Sequence, residues 1–551
     1  MLLQPLSMRF RPHPAGWHPT VLVLVLAAWL ATVGNLPLWH ALWTLHQDHA
    51  IGLFPAVTSC AGVLTGLLAG TLCLLVWPPW RRPLGVLLML ISALASYFML
   101  AYGVVIDPSM MANVAHTDPR EVRDLLSASM GMAVLAGVVL PGIWWWRQPV
   151  RRLPARRLAW QQTGVGALAL LIGVTALWSG FQETAALMRE HKALRYTVTP
   201  FNVLYGGLRL GVAASAHAHV PRQIVGADAH VGTRVADAAP LVVLVIGETA
   251  RAENFGLSGY RRDTTPGLSQ LAAAGRLSYF PHVQSCGTNT HTSLPCLFSH
   301  LGHAGVGREA EYDNLLDVLQ RAGLTVIWLD NQSGCKGVCA RVTSISTRVG
   351  DDPVLCRDGE CHDEIMLAEL PQALARLDPA RAARATVVVL HQMGSHGPAY
   401  HRRSPPDAKA FLPECTESTL QDCPADTIVN AYDNSIRYTD RLLRHTIDWL
   451  AAQSRPTAML YVSDHGESLG EGGLYLHGMP RALAPTQQTH VPMLAWASDT
   501  YLQQRGWSTA CMNARASDAF THDSVFHAML NLAGVHTRLY QPALDPLQRC
   551  G

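Results

Sequence analysis

Charge is scarce. Asp, Glu, Lys and Arg make up only 15% of the 551 residues, the formal net charge is +2, and no long Lys/Arg block or basic stripe interleaved with aromatics occurs. The electrostatic footprint of a nucleic-acid binder is therefore missing, and no nucleic-acid partner is expected. The scarcity is local. Long apolar runs alternate with short polar ones before about residue 185, whereas ordinary soluble texture sets in beyond about residue 239; 49% of the whole chain is hydrophobic.

Further absences shape the apolar half. No small-residue cleavage site flanks the first apolar run, which is long and is followed by four more, so it reads as a retained helix and not as a signal peptide. The five runs, near 20–40, 51–77, 84–106, 125–146 and 158–179, suit a bilayer core that takes about 20 apolar residues as a helix. The loop near 41–50 has no Lys or Arg, and the one near 107–124 offsets Arg120 and Arg123 with Asp107, Asp118, Glu121 and Asp124. By contrast, Arg9 and Arg11 precede the first run, Arg81 and Arg82 follow the second, and Arg147, Arg151, Arg152, Arg156 and Arg157 follow the fourth. Lys and Arg collect on the cytoplasmic side, which places the amino terminus inside and the soluble half in the exterior or periplasm.

Cysteine usage points to the same compartment. Cys60 and Cys73 sit in apolar runs as inert thiols, while ten others lie in the soluble half. An even set in close pairs suits disulfides in an oxidising compartment. Only Cys335 and Cys339 resemble a zinc half-site, and no second half-site follows at a usual distance.

After the last run, ETAALMREHKALRYTVTP reads either as a helix lying along the membrane surface or as an extension of the fifth span. The Ala-, Gly- and His-rich text from about Gly206 to Pro240 reads as a linker, with His217, His219 and His230 solvated. The expected division is a transmembrane domain over 1–185, an amphipathic helix and linker over 186–238, and a catalytic domain over 239–551.

In the soluble half, LVVLVIGE (241–248), TVIWLDN (325–331), TVVVLHQMGSH (386–396) and AMLYVSDHGE (458–467) are continuous apolar runs of strand length that end in polar residues. That is the texture of strands buried on both faces, and the helix-like segments between them predict an α/β fold with a mostly parallel sheet and helices on both faces. Ligands in such sheets bind beyond the carboxyl ends of the strands, where Glu248, Asn331, His396, Asp464 and His465 converge. Two carboxylates and an imidazole suit Zn²⁺ with a position left open, with Mn²⁺ as the main rival. The stretch SCGTNTHTSLPC (285–296) puts a loop rich in hydroxyls before a helix, whose N-terminus favours an anion. A threonine hydroxyl held beside a cation gains nucleophilicity, because the cation favours its deprotonated form.

The ordered series GETARAENFGLSGYRRDTTP, SCGTNTHTSLPC, GCKGVC, CRDGEC, GSHGPAY, YDNSIRYTDRLL, SDHGESLGEGGLYLHG and APTQQTHVPML resembles the phosphoethanolamine transferases of Gram-negative inner membranes. These include the lipid A enzymes and their mobile colistin-resistance relatives, which are alkaline phosphatase-like. The resemblance covers nearly the whole chain. It implies a zinc site at Glu248, Thr290, Asp464 and His465 with Thr290 as nucleophile. It implies that His396 and His477 handle the transferred phosphate or a second zinc, and that Asn331 and Lys336 contact the head group. ANVAHTDPREVRD (112–124) is similar to an outward loop that helps hold the lipid donor, and Ala115–His116 departs from that motif. The implied disulfides are Cys286–Cys296, Cys335–Cys339, Cys356–Cys361, Cys415–Cys423 and, over the longest closure, Cys511–Cys550.

The activity implied is a two-step transfer of phosphoethanolamine from phosphatidylethanolamine to lipid A phosphate, through a Thr290 intermediate, in a monomer whose product resists polymyxin. Other envelope acceptors (a core sugar, Kdo or a periplasmic glucan) and a glycerophosphate transferase are the alternatives. Glu467 is expected to hold the His465 ring in its ligating tautomer. A sulfatase is disfavoured because THTSLPC has no Arg after its Pro, and an idle ligand-binding sensor because the ligand set is intact.

Overall fold

The computed structural model describes residues 16–47, 53–217, 221–232, 239–357 and 359–550. Arg9, Arg11 and His219 lie outside them, as do 48–50 of the first outward loop and 233–238 of the expected linker. The chain forms two compact units, one comprising Met1–Leu100 and Ser127–Leu204, the other Ala101–Leu126 and Tyr205–Gly551.

In the first unit, the described residues include helices Pro19–Gln47, Val57–Leu75, Ala128–Arg147 and Ala155–Ser179 and most of Arg81–Tyr102, all long and apolar enough to cross a membrane. These match the five expected spans. Small residues let two of them approach closely: a Cβ on Gly66 would stand 2.7 Å from the Cα of Gly173. Such contacts are how helices gain packing energy where lipid removes the hydrophobic drive. Cys60 and Cys73 are free and buried, as expected. The fifth span breaks at Gly180, and a separate helix follows over Phe181–Glu190.

The second unit is built on an eight-stranded sheet. Its strands are β1 (Leu241–Gly247), β2 (Ser278–Gln284), β3 (Thr325–Asp330), β4 (Thr343–Ser346), β5 (Thr386–His391), β6 (Thr457–Ser463), β7 (His490–Ala497) and β8 (Phe520–Thr521). Their order is β8-β2-β7-β6-β1-β5-β3-β4. The run from β6 to β4 is parallel, β7 is antiparallel to both β6 and β2, and β8 is parallel to β2. Every residue of β1 is buried, because its alternate side chains enter separate cores on the two faces: Val242, Leu244 and Ile246 on one, Leu241, Val243 and Val245 on the other. Each such side chain contributes roughly 1.5–3 kcal/mol of hydrophobic free energy. The parallel sheet is thus as expected, and β7 is the antiparallel addition.

Two stretches behave differently from their sequence reading. The linker text is helical as far as His217, and His230–Val231 pairs antiparallel with Val535–His536, so part of it is ordered against the soluble unit. The outward loop assigned to the membrane domain belongs to the soluble unit, where Asp124 accepts hydrogen bonds from Arg402 at 2.8 Å and Arg403 at 2.6 Å. Each carboxylate oxygen thus takes a charge-assisted hydrogen bond from a different arginine, which holds the loop in one orientation. All five disulfides are present, Cys511–Cys550 among them, which removes Cys335 and Cys339 from any zinc half-site.

Candidate active site

Parallel neighbours in register deliver their last residues to one rim. Ile246 of β1 stands opposite His391 of β5 and Val462 of β6, so Glu248 and Asp464, each just past a strand end, arrive side by side. The hydroxyl-rich loop comes from β2 and enters helix α1 (Thr290–Leu297), with Asn289 capping it by accepting from Thr292 N–H. This cap fixes the residue that opens the helix, Thr290.

The Thr290 Oγ1 lies 3.1 Å from Glu248 Oε2, 3.3 Å from Glu248 Oε1 and 3.4 Å from His465 Nε2. His465 Nε2 is in turn 3.2 Å from Glu248 Oε1 and 3.4 Å from Asp464 Oδ2. All four residues are buried. Glu248 also accepts from Thr249 Oγ1 at 2.7 Å and from Gln332 Nε2 at 3.1 Å. Thr249 itself sits in the left-handed region with φ 61°, a strain of about 1–3 kcal/mol for a β-branched residue, and there its N–H meets Asp464 Oδ1 at 3.2 Å. Gly394 permits the crowding, since a Cβ on it would meet the Glu248 carbonyl oxygen at 2.5 Å.

Electrostatics sharpen the picture. Burial opposes charge on all three groups, but the His465 ring beside it holds Glu248 below the usual carboxylate range. Burial and the adjacent Glu248 charge push Asp464 up to about 6. Burial works against protonating His465 as well, yet Asp464 and Glu248 raise it to about 10. The two carboxylates thus favour positive charge at the His465 position. A cation fits here: ligand atoms of Glu248, Asp464 and His465 lie within 4.8 Å of one another, and Asp464 Oδ2 is a buried oxygen without a hydrogen-bond donor. Leaving such an oxygen unpaired costs several kcal/mol unless an ion takes it up. His465 Nδ1–H donates to Gly466 O at 2.9 Å, which turns Nε2 towards the carboxylates.

That contact corrects the expected role of Glu467, which does not hold His465. Glu467 instead pairs with His477 Nδ1 at 2.8 Å and accepts from the Tyr400 hydroxyl. Burial pushes Glu467 up to about 8 and His477 down to about 3, the latter helped by the charge of His465. The ring of His477 lies 4.4 Å from that of His465 and 5.3 Å from that of His396. His465, Glu467 and His477 form a second group with converging ligand atoms.

The two expected head-group residues differ. Asn331 spends its amide on Cys361 O at 2.9 Å and Asp363 at 2.8 Å and so pins a loop, while its neighbour Gln332 reaches Glu248. Lys336 donates to Ser333 Oγ at 2.9 Å and approaches His116 O of the outward loop at 3.5 Å. The sequence reading missed Thr249 and Gln332, and adjacency to a strand-end residue was their only signal. A third apparent cluster, Cys286, Cys296 and Asp523, is no metal site, because its two sulfurs are bonded to each other.

A family model described as phosphoethanolamine transferase EptA/EptB matches residues 64–214, and a sulfatase model matches 240–535. The chain is 37% identical over 494 residues to the phosphoethanolamine transferase EptA of Salmonella typhimurium, covering 87% of each. It is 35% identical over 555 residues to the phosphatidylethanolamine transferase Mcr-1 of Escherichia coli, covering 95% of this chain and 97% of that one. The solved structure of the integral membrane lipooligosaccharide phosphoethanolamine transferase A of Neisseria meningitidis superposes with a TM-score of 0.91 at 31% identity, covering 97% of this chain and 99% of that one.

Proposed function

Because the chain belongs to the phosphoethanolamine transferase family, we propose that it moves phosphoethanolamine from phosphatidylethanolamine to lipid A phosphate by way of a covalent Thr290 intermediate. The observation that carries this reading is the Thr290 hydroxyl set 3.1 Å from Glu248 and 3.4 Å from His465 at the mouth of a helix.

Glu248, Thr290, Asp464 and His465 would hold Zn²⁺, which lowers the pKa of a neighbouring hydroxyl and offsets charge on phosphoryl oxygens. Thr290 is the attacking group. Its hydrogen bond to Glu248 aligns the hydroxyl, and the helix N-terminus it opens favours the phosphate. As the Thr290 oxygen gives its proton to Glu248 and bonds to phosphorus, the bond from phosphorus to the diacylglycerol oxygen breaks. A proton from His396 reaches the leaving oxygen, while His477, oriented by Glu467, and Lys336 offset charge on the phosphoryl group. An acceptor phosphate then gives its proton to His396 and attacks the same phosphorus, and the freed Thr290 oxygen takes its proton back from Glu248.

The five apolar helices, the Lys/Arg bias of their loops and the disulfides support an inner-membrane chain whose amino terminus is cytoplasmic and whose catalytic unit is periplasmic. The Neisseria relative, named for lipooligosaccharide, supports a lipid A acceptor. A cationic head group on that lipid weakens its attraction for polymyxins. Peptide mass spectrometry after incubation with phosphatidylethanolamine tests the intermediate. Phosphoethanolamine on the peptide carrying Thr290 is expected, and its appearance on another residue would overturn the assignment.

A further inference from the structure

We propose that His522 is a positioning residue for the transfer reaction, its imidazole coupling the loop that carries Thr290 to the strand end that carries Asp464 and His465. The inference rests on the transferase reading and adds a residue that touches no reacting atom.

His522 is fully buried and directly follows β8, the parallel partner of β2, from which the nucleophile loop departs. Its backbone N–H donates to Gln284 O at 3.0 Å, so the ring sits at the root of that loop. Both ring nitrogens are then used. Cys286 N–H donates to Nδ1 at 3.2 Å, and a nitrogen that accepts carries no proton. The single proton is therefore on Nε2, which donates to Ser463 O at 3.0 Å. The two bonds select one neutral tautomer, and burial pushes the ring's pKa down to about 3.

Each bonded residue passes the constraint on. Cys286 is tied by its disulfide to Cys296, which clamps the loop across the helix that Thr290 opens. Ser463 precedes Asp464, accepts Ala250 N–H at 2.8 Å, and donates its hydroxyl to His465 O at 3.0 Å. One imidazole therefore sets the spacing between the nucleophile loop and the carboxylate-imidazole cluster. Bonds other than those of His522 fix Glu248, Asp464 and His465 on β1 and β6, with Thr249 N–H on Asp464 Oδ1 and Ser463 Oγ joining Ala250 N–H to His465 O, so loosening the spacer shifts the Thr290 hydroxyl while these three groups stay together. A 1 Å misplacement of a reacting group costs on the order of 10²-fold in rate.

The test compares His522→Asn, His522→Gln and His522→Ala in the full-length protein. Diacylglycerol release from phosphatidylethanolamine, zinc bound per chain, and KM against kcat are read for each. An Asn oxygen takes the place of Nδ1 and still accepts from Cys286 N–H. A Gln amide N–H takes the place of Nε2 and still donates to Ser463 O, leaving Cys286 N–H unpaired. Each variant breaks at least one of the two links, so the expected result is kcat lowered roughly 30- to 100-fold in all three, with KM and bound zinc within about twofold of wild type throughout. Should Ala fail to fold, the Asn–Gln pair still decides. A kcat near wild type in Asn or in Gln, either of which keeps a single link, or losses that track bound zinc, would overturn the proposal. A wild-type protein that releases no diacylglycerol would sink the transferase reading instead.

Discussion

The hydroxyl oxygen of Thr290 stands 3.1 Å from a carboxylate oxygen of Glu248, although 42 residues separate the two in sequence. A helix N-terminus and a buried strand end bring them together, and the chemistry follows from that meeting. Thr290→Ala removes the oxygen and leaves both carboxylates and the imidazole in place. Transfer is expected to fall at least about 10³-fold, with metal binding weakened far less, as read by turnover beside metal analysis.

Asp464→Asn tests the buried oxygen that lacks a donor. The amide cannot carry the charge that the cluster needs, so zinc affinity should drop at least about tenfold in equilibrium dialysis, and activity with it. Chelator treatment of the wild type should mimic the variant and be reversed by added zinc.

Glu467→Gln separates the observed contact from the expected one. Because Glu467 orients His477 and not His465, kcat should fall about 10- to 100-fold while bound zinc is retained. Loss of zinc would show that Glu467 acts on the metal cluster after all.

Cys286→Ser with Cys296→Ser opens the loop before Thr290. A closure of this length is worth about 3 kcal/mol at most. Activity is expected to fall more steeply than the unfolding midpoint, because the clamp also positions Thr290, the proposed nucleophile.

An ion pair remote from the site gives a pH test. Burial alone would raise the Asp317 carboxyl, but hydrogen bonds from Arg341 and from Asn314 N–H at 2.8 Å hold it below its ordinary 3.8. A depressed folded-state value means that its stabilisation is present above pH 3.8 and is lost as pH falls below it. With Arg341 about one-third exposed, Asp317→Asn should cost about 1–2 kcal/mol at pH 7 in denaturant titrations, and the gap should close below pH 3.8.

The strands β1, β3, β5 and β6 were legible because burial on both faces leaves an unbroken apolar run, and the chemistry at their ends was legible with them. β2 was not, since Ser278–Gln284 is only partly buried and carries Pro281 and His282. The helix Phe201–His217 was hidden because its Ala and Gly content matches that of a linker. Asn331's bonds to Cys361 and Asp363 were hidden for a different reason: a buried amide at a strand end looks the same in sequence whatever it meets. His522 gave no signal at all, as its two partners are backbone groups whose identity no side chain reports.

Mass spectrometry of lipid A from polymyxin-sensitive Gram-negative cells expressing the wild-type chain or Thr290→Ala tests the central claim most directly. A phosphoethanolamine increment with the wild type alone is predicted. An increment with both would contradict the role of Thr290, and none with a wild-type protein present in the membrane would contradict lipid A as the acceptor.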